Sequence, residues 1–488
     1  MRKITGQMKA TRPIAILALA AALSGCVSLA PDGNDVPVVT SMPEEFAVSP
    51  IPGDYSPARW WLGFEDPVLN GLVDHALSGN LDISEAAARL DQASAQARIA
   101  RAQLFPTISA SGDASSTSSP LDGSAFGDLA GGAIDRIESE TVTLGLGASY
   151  ELDLFGRVRN DNLAARQDAL ASAYDLRTVK LAAVAETISA YIDLVDTKRQ
   201  IELLNLTQEV LEDRVARSED RFERGLIESF ELYQVRQDLR STQASIPQLE
   251  SALVAVKARL ALLLGLYPQQ LEEHLGERLE PRLVSEAVPT GLPADLLEQR
   301  PDVAAAWARM DAARYRIGAR RAERFPSLTL NGSIGTQAGD LSGAFDFGTN
   351  WASSLAASIV APIIDAGRIN ANIRSARAVY DQNAAAYARA VLTAYGEVET
   401  AIADYDEQRE RYRLITSQLT SARASLALQS SRFEAGVGDY TAYLDALRTV
   451  YLVEGNLSSV ARDTALARLG VHRALGGDWV PETSGELP

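Results

Sequence analysis

Thr141-Val142-Thr143-Leu144-Gly145-Leu146-Gly147-Ala148-Ser149-Tyr150-Glu151-Leu152-Asp153 alternates without a slip. Val142, Leu144, Leu146, Ala148, Tyr150 and Leu152 share one face, and Thr141, Thr143, Gly145, Gly147, Ser149, Glu151 and Asp153 share the other. A period of two is a strand. These thirteen residues, at about 3.3 Å each, reach roughly 40 Å, beyond the roughly 9–11 residues that a tilted transmembrane strand needs. An apolar face opposite a small, polar one is the alternation of a barrel with lipid outside and water inside. The same pattern serves a sheet half-buried on a soluble core, and alternation alone does not choose between them.

Working outward, Thr107 to about Ser116 sets Ile108, Ala110, Gly112 and Ala114 against Thr107, Ser109, Ser111 and Asp113. Leu328, Leu330 and Ile334 mark a third strand, and Leu355, Ala357, Ile359, Ala361 and Ile363 a fourth. From Arg157 to Glu223, and again from Arg368 to Glu434, the chain runs 67 residues without proline, which as helix is roughly 100 Å. A heptad seam follows the first of these runs: Leu232, Val235, Leu239, Thr242, Ile246, Leu249, Leu253, Val256, Leu260 and Leu263. Its counterpart, from Tyr443 and Ala446 through Val450, Val453, Leu457, Val460, Thr464, Ala467 and Val471 to Ala474, has smaller side chains. Pro247 interrupts the first seam and is expected to bend it, whereas Ser458 stands at the matching place in the second.

The chain is written twice. Asp82-Ile83, Phe105-Pro106 and Gly112 recur 220 residues later as Asp302-Val303, Phe325-Pro326 and Gly332. Beyond that the offset is 211, pairing Gly156-Arg157 with Gly367-Arg368, Arg221-Phe222-Glu223 with Arg432-Phe433-Glu434, and Leu264-Gly265 with Leu475-Gly476. One unit has been duplicated. The expected layout gives residues 71–265 to a first repeat, with a helix, strands at about 106–118 and 139–153, and helices at about 157–224 and 229–264. Residues 293–476 form the second, with a helix, strands at about 326–336 and 351–363, and helices at about 368–435 and 440–475. A linker, 266–292, joins them, and 477–488 is a tail.

Arg2, Lys3, Lys9 and Arg12 precede an apolar run from Ile14 to Leu23 that ends in Leu23-Ser24-Gly25-Cys26. This reads as a lipoprotein signal peptide, 1–25, whose removal leaves Cys26 to be acylated; the run is too short to span a bilayer of about 30 Å. Val27, where an aspartate would resemble an inner-membrane retention signal, favours outer-membrane sorting. Residues 26–70 then hold a lipid-anchored tether and the start of the body, with six prolines between 27 and 57. Losing the signal takes away four cations and no acids, moving the formal charge from −18 to −22, so nucleic acid is excluded as a partner. His75, His274 and His472 lack metal-site spacing, and no G-x-S-x-G, G-x-x-x-x-G-K or G-x-G-x-x-G string occurs. The expectation is therefore no enzyme, no cofactor and no metal.

Four strands cannot sit in lipid alone, because two open edges leave backbone groups unpaired. Bacterial barrels begin at about eight strands, which two copies would reach, while three would give twelve. At this point a resemblance covers nearly the whole mature chain. Trp60-Trp61 with Phe64, Asp66-Pro67-Val68-Leu69, Asn80-Leu81-Asp82, Tyr150 through Arg157, Ile246-Pro247 and Leu264-Gly265 carry it. So does Leu296-Leu297-Glu298-Gln299-Arg300-Pro301-Asp302-Val303, continuing through Ala312-Ala313 and Ile317-Gly318 to Phe325-Pro326. Together they resemble the outer membrane factor family, the TolC-like channels, and in particular its OprM-like lipoprotein branch. The resemblance implies an α+β membrane protein: a TolC-like homotrimer whose four strands per chain close one shared barrel of about twelve strands, continued by a long periplasmic α-helical barrel. It further implies a passive exit duct for drugs or other small molecules, with a periplasmic adaptor and an inner-membrane RND transporter as partners. The alternatives are the outer-membrane channel of type I protein secretion and a structural coiled-coil lipoprotein.

The hairpins farthest from the strands are the candidate docking tips. Gly225 suits a helix stop and Ser229 the next N-cap, with Glu231 in the first turn; Gly436-Val437-Gly438 is the second break, with Asp439 or Thr441 as cap. Ordinary αα-hairpin chemistry accounts for all of these. The resemblance adds adaptor docking around Arg221, Gly225, Leu226 and Ser229, and around Arg432, Gly436, Val437, Gly438, Asp439 and Tyr440. It also matches Asp445 to one acidic ring of the closed entrance, while Ala442 departs from a second. Taken without the resemblance, Asp445 is a solvated helix charge.

Overall fold

The structure, a computed structural model, describes residues 29–31, 43, 59–120, 136–275 and 300–477. Cys26 and the signal segment before it, most of the tether, the linker from 276 and the tail from 478 lie outside them. The helices are α1 Pro67–Gly79, α2 Leu81–Ala102, α3 Arg157–Glu223, α4 Ser229–Leu263, α5 Pro268–Leu271, α6 Pro301–Ala322, α7 Arg368–Glu434 and α8 Tyr440–Ala474. The strands are β1 Thr107–Pro120, β2 Arg136–Leu152, β3 Ser327–Ala338 and β4 Trp351–Val360. None of the described helices is long and apolar enough to cross a membrane.

The chain divides into two compact units, one of which contains Gln92–Leu170 and Ala308–Ala385, the other Val38–Asp91, Ala171–Trp307 and Ala386–Pro488. In the first, the four strands form one antiparallel sheet in the order β1-β2-β3-β4. The alternation expected to carry the fourth strand to Ile363 outlasts the strand, which stops at Val360. Pro362 has no N–H to give a ladder and ends it. After β2, Glu151 accepts two bonds from Arg157 (3.1 and 2.7 Å), and Asp153 accepts the Arg159 N–H at 2.7 Å, starting α3. Before α7, Asp365 does the same for the N–H groups of Gly367 and Ile369, both at 2.9 Å.

In the second unit the aromatic start of the body supplies the core. Trp60, Trp61 and Phe64 pack with Leu69, Leu72 and Val73 of α1, Ile188, Tyr191 and Leu194 of α3, and Leu260 and Leu264 at the end of α4. Asp66 caps α1, taking the N–H groups of Val68 and Leu69 at 2.8 and 3.2 Å, and its second oxygen accepts the buried Tyr191 hydroxyl at 2.6 Å. Burial, with that bond adding, pushes the Tyr191 phenol up, so it stays the donor. Tyr191→Phe removes a bond to a charged acceptor and is expected to cost about 1.5–3 kcal/mol, read as a lowered denaturation midpoint with the helix content unchanged.

Arg300 explains its own motif. Its guanidinium holds both Asp302 oxygens (3.0 and 2.7 Å), Glu397 of α7 (2.7 Å) and the Ala474 carbonyl at the end of α8 (2.9 Å). His472 stacks on Trp60 with centroids 4.8 Å apart, and burial, with Arg468 adding, pushes it down to about 3, so it packs as a neutral ring. The α4 seam is buried at Leu232, Val235, Leu239, Leu260 and Leu263. The helix continues through the exposed Pro247.

Candidate conduit wall and hairpin tips

Residues paired directly across an antiparallel ladder point to the same face, so the register sums the four alternations. One face carries the rows Gly112-Leu144-Thr336-Trp351, Ala110-Leu146-Ile334-Ser353, Ile108-Ala148-Gly332-Leu355, Tyr150-Leu330-Ala357 and Leu152-Leu328-Ile359. The other carries Asp113-Thr143-Gln337, Ser109-Gly147-Ser333-Ser354, Thr107-Ser149-Asn331-Ala356 and Glu151-Thr329-Ser358. Over these rows the first is apolar but for Thr336 and Ser353, and the Thr336 hydroxyl is spent on the Ala344 carbonyl at 2.5 Å; toward the far end of β1 and the start of β2 the same face turns polar, with Ser116-Glu140 and Ser118-Glu138. The second is small or polar over its rows, with Ser333 and Ser354 hydroxyls bonded at 2.8 Å, and ends in Val360 opposite Ser327. Both faces of the edge strands β1 and β4 are exposed in the single chain. Such a sheet has the two-sided chemistry of a channel wall, with two edges left to pair.

In the second unit, both hairpin tips end their long helix identically. The Gly225 N–H bonds the Phe222 carbonyl (2.8 Å) and the Leu226 N–H the Arg221 carbonyl (2.8 Å); 211 residues on, Gly436 and Val437 bond Phe433 and Arg432 at 2.9 and 3.0 Å. This is a Schellman cap, and the glycines supply its left-handed residue at φ 71° in both tips. Each cap leaves an apolar residue in solvent, Leu226 at 64% and Val437 at 72% exposure. Ser229 is not the N-cap expected of it. Glu228 holds the extended cap conformation, so Ser229 is already the first helical residue, and no side chain closes the α4 start. Asp439 caps α8 through the Thr441 N–H at 3.1 Å. Gly438 packs so closely that a Cβ would lie 2.7 Å from the Phe433 nitrogen.

Asp445 is not a free carboxylate. Arg214 of α3 binds it at 2.5 Å, a cross-helix pair between residues 231 positions apart. One turn nearer the tip, the Tyr440 hydroxyl donates to Asp213, which also accepts from Arg217 at 3.1 Å, and the Arg217 guanidinium lies 3.7 Å over the Tyr440 ring. Burial works to raise the Asp213 pKa, but the Tyr440 hydroxyl and Arg217 prevail and hold the carboxyl below its ordinary range. Farther along, Arg199 reaches Glu454 at 3.2 Å and Arg462 reaches Asp196 at 3.3 Å, so polar links lace α8 to α3 along much of its length. Arg448 ties α8 to Asp238 of α4 at 2.9 Å. These partners stand more than 200 residues apart and lie among ordinary helix charges, so spacing gave no signal for Asp213, Arg214 or Arg217. Among the described residues, no group of histidines, cysteines and acids could hold a metal ion.

The sequence profile of the outer membrane efflux protein family matches residues 72–266 and 292–477. The chain belongs to that family. Its relatives include the outer membrane protein OprJ of Pseudomonas aeruginosa, 34% identical over 427 residues that make up 86% of each chain. The probable efflux pump outer membrane protein SepC of Pseudomonas putida is 32% identical over 475 residues, 95% of this chain and 96% of SepC. Among solved structures, the outer-membrane channel OprN superposes with a TM-score of 0.81 at 29% identity, covering 93% of this chain and all of that one. The open state of the Neisseria gonorrhoeae MtrE outer membrane channel gives 0.79 at 27% identity, covering 92% of this chain and 98% of MtrE. The fold is therefore TolC-like, and this outer membrane efflux protein is an efflux channel of the outer membrane with a large periplasmic helical part.

Proposed function

We propose that this chain is the passive exit duct of a tripartite RND-type pump, assembled as a homotrimer whose sheets close one barrel and anchored by an acylated Cys26. The observation that carries it is the sheet register: one apolar face, one polar face and two unpaired edges. Only other strands can satisfy those edges inside a bilayer. The tips offer Leu226 and Val437 in matching settings, with Arg221 and Arg432 one turn back, as the surface for a periplasmic adaptor. Asp445 serves at the entrance, held by Arg214 when the duct is shut. On this reading the duct is passive, and the driving force belongs to the inner-membrane partner. Relatives are named for toluene efflux, antibiotic efflux and pyoverdine export. Cargo so varied fits a duct that leaves selection to the pump, with drugs or other small molecules as cargo.

The test is the oligomeric mass and planar-bilayer conductance of the detergent-extracted protein, with the mass of its N-terminal peptide read alongside. A trimer giving discrete channel events and an acylated Cys26 is the expected result. A monomer without channel activity would sink the duct, and an unacylated Cys26 the anchor alone.

A further inference from the structure

Gly318, part of the Ile317-Gly318 motif, has no role in the conduit, yet space around it is closed. A Cβ placed there would lie 2.8 Å from the Ala30 nitrogen, 3.0 Å from the Ala30 Cα and 3.0 Å from the Asn160 side chain. One turn before it on α6, Arg314 donates to the Pro31 carbonyl at 3.0 Å; one turn after it, Arg321 donates to the Leu29 carbonyl at 3.0 Å. Positions 314, 318 and 321 are spaced four and three apart and share one helix face. The three therefore make a slot: a floor without a side chain, and a guanidinium at each end that grips a backbone carbonyl.

We propose that this Arg314–Gly318–Arg321 face of α6 is a seat for residues 29–31, fixing the course of the tether where it leaves the outer membrane. Backbone carbonyls are what the two arginines recognise, so the seat reads the shape and direction of the strand more than its side chains. The Leu29 carbonyl also answers a need of Arg321, whose pKa is lowered by burial and by the neighbouring Arg377 and Arg324. A charge so placed gains from an acceptor.

The position of the anchor follows, and this step rests on the acylation proposed for Cys26. Leu29 is the third residue after Cys26, at most roughly 11 Å of extended chain away, so the acyl chain enters the membrane close to Arg321. Arg321 itself lies six residues before β3, beside the start of the sheet. An acylated tether also cannot run through the duct, so the seated face of α6 is the outer one.

The experiment places a thiol at Ala30→Cys in the full chain and follows maleimide modification of position 30 by mass spectrometry, with acylation of Cys26 read from the same peptide. Seated, the thiol is expected to react on the order of tenfold slower than in Gly318→Leu, which fills the floor, and than in Arg314→Ala/Arg321→Ala, which removes both grips. The arginine double variant leaves the contact of Gly318 with Asn160 in place, so it reports on the seat even if Gly318→Leu misfolds. Single-channel conductance is expected to stay unchanged in the double variant. Equal rates in parent and double variant overturn the seat. Protection at position 30 without acylation keeps the seat and removes the anchor; acylation without protection does the reverse.

Discussion

Leu146→Arg is expected to abolish assembly in the outer membrane, whereas Ser333→Arg leaves a folded channel with altered ion selectivity. The two positions sit one row apart in the same sheet, since Leu146 pairs with Ile334 and Gly147 pairs with Ser333. They differ in the face they occupy. Leu146 is near the middle of β2 on the apolar face and 53% exposed in the single chain. An arginine on the lipid face near the bilayer midplane costs about 2–4 kcal/mol, and in the proposed trimer every copy bears it. That burden is comparable to the whole margin of about 5–15 kcal/mol by which proteins are stable. Ser333 lies on the face of Ser109, Gly147 and Ser354, where water solvates a guanidinium. A ring of such cations in the lumen moves selectivity toward anions. The measurements are the yield of heat-resistant oligomer in isolated outer membranes and the reversal potential in a salt gradient. Normal assembly of Leu146→Arg together with loss of Ser333→Arg would mean that the faces are assigned the wrong way round.

The sheet was the most legible part of the sequence because its information is local. Thirteen consecutive residues disclose their period, and a face once assigned is copied across the ladder to its partners. The long helices were legible for a similar reason, since proline is missing from both runs and a left-handed glycine closes each. Strand and helix ends depended on single residues: Pro362 ended β4 earlier than its alternation implied, and Glu228 took the cap position that Ser229 was expected to hold. The polar lacing between α3 and α8 was not legible at all. Asp213, Arg214 and Arg217 lie among Glu209, Glu212, Glu219 and Asp220, and on sequence grounds every one of them is a solvated helix charge. Only packing two helices that are distant in sequence shows which carboxylate meets which guanidinium. The seat on α6 was hidden in the same way, because Gly318 was visible as a motif but its neighbour Ala30 is 288 residues earlier.

Asp213→Ala combined with Arg214→Ala is expected to raise the open probability of the isolated channel about ten- to a hundredfold. Near the tip, α8 is held to α3 by two adjacent links, Tyr440 on Asp213 and Asp445 on Arg214. If the proposed entrance widens by parting these helices, a closed state that keeps both links is favoured by whatever they are worth. The groups are partly exposed, so each link is worth on the order of 0.5–1 kcal/mol. Two links lost in each copy of the proposed trimer give several kcal/mol, and about 1.4 kcal/mol is a factor of ten, which sets the expected range once water takes up part of the loss. The pH dependence has a definite sign. Because Asp213 is held below its ordinary range of about 3.9, its contribution to the closed state is complete at neutral pH and lost only as the pH falls through that lowered value. Acid should therefore open the parent channel but leave the double variant much less responsive. Tyr440→Phe separates the hydroxyl from the ring: it removes the bond to Asp213 yet keeps the aromatic face beneath Arg217, so an intermediate open probability is expected. If bilayer recordings show all three channels opening equally at neutral pH, these links tie the helices together without controlling the entrance.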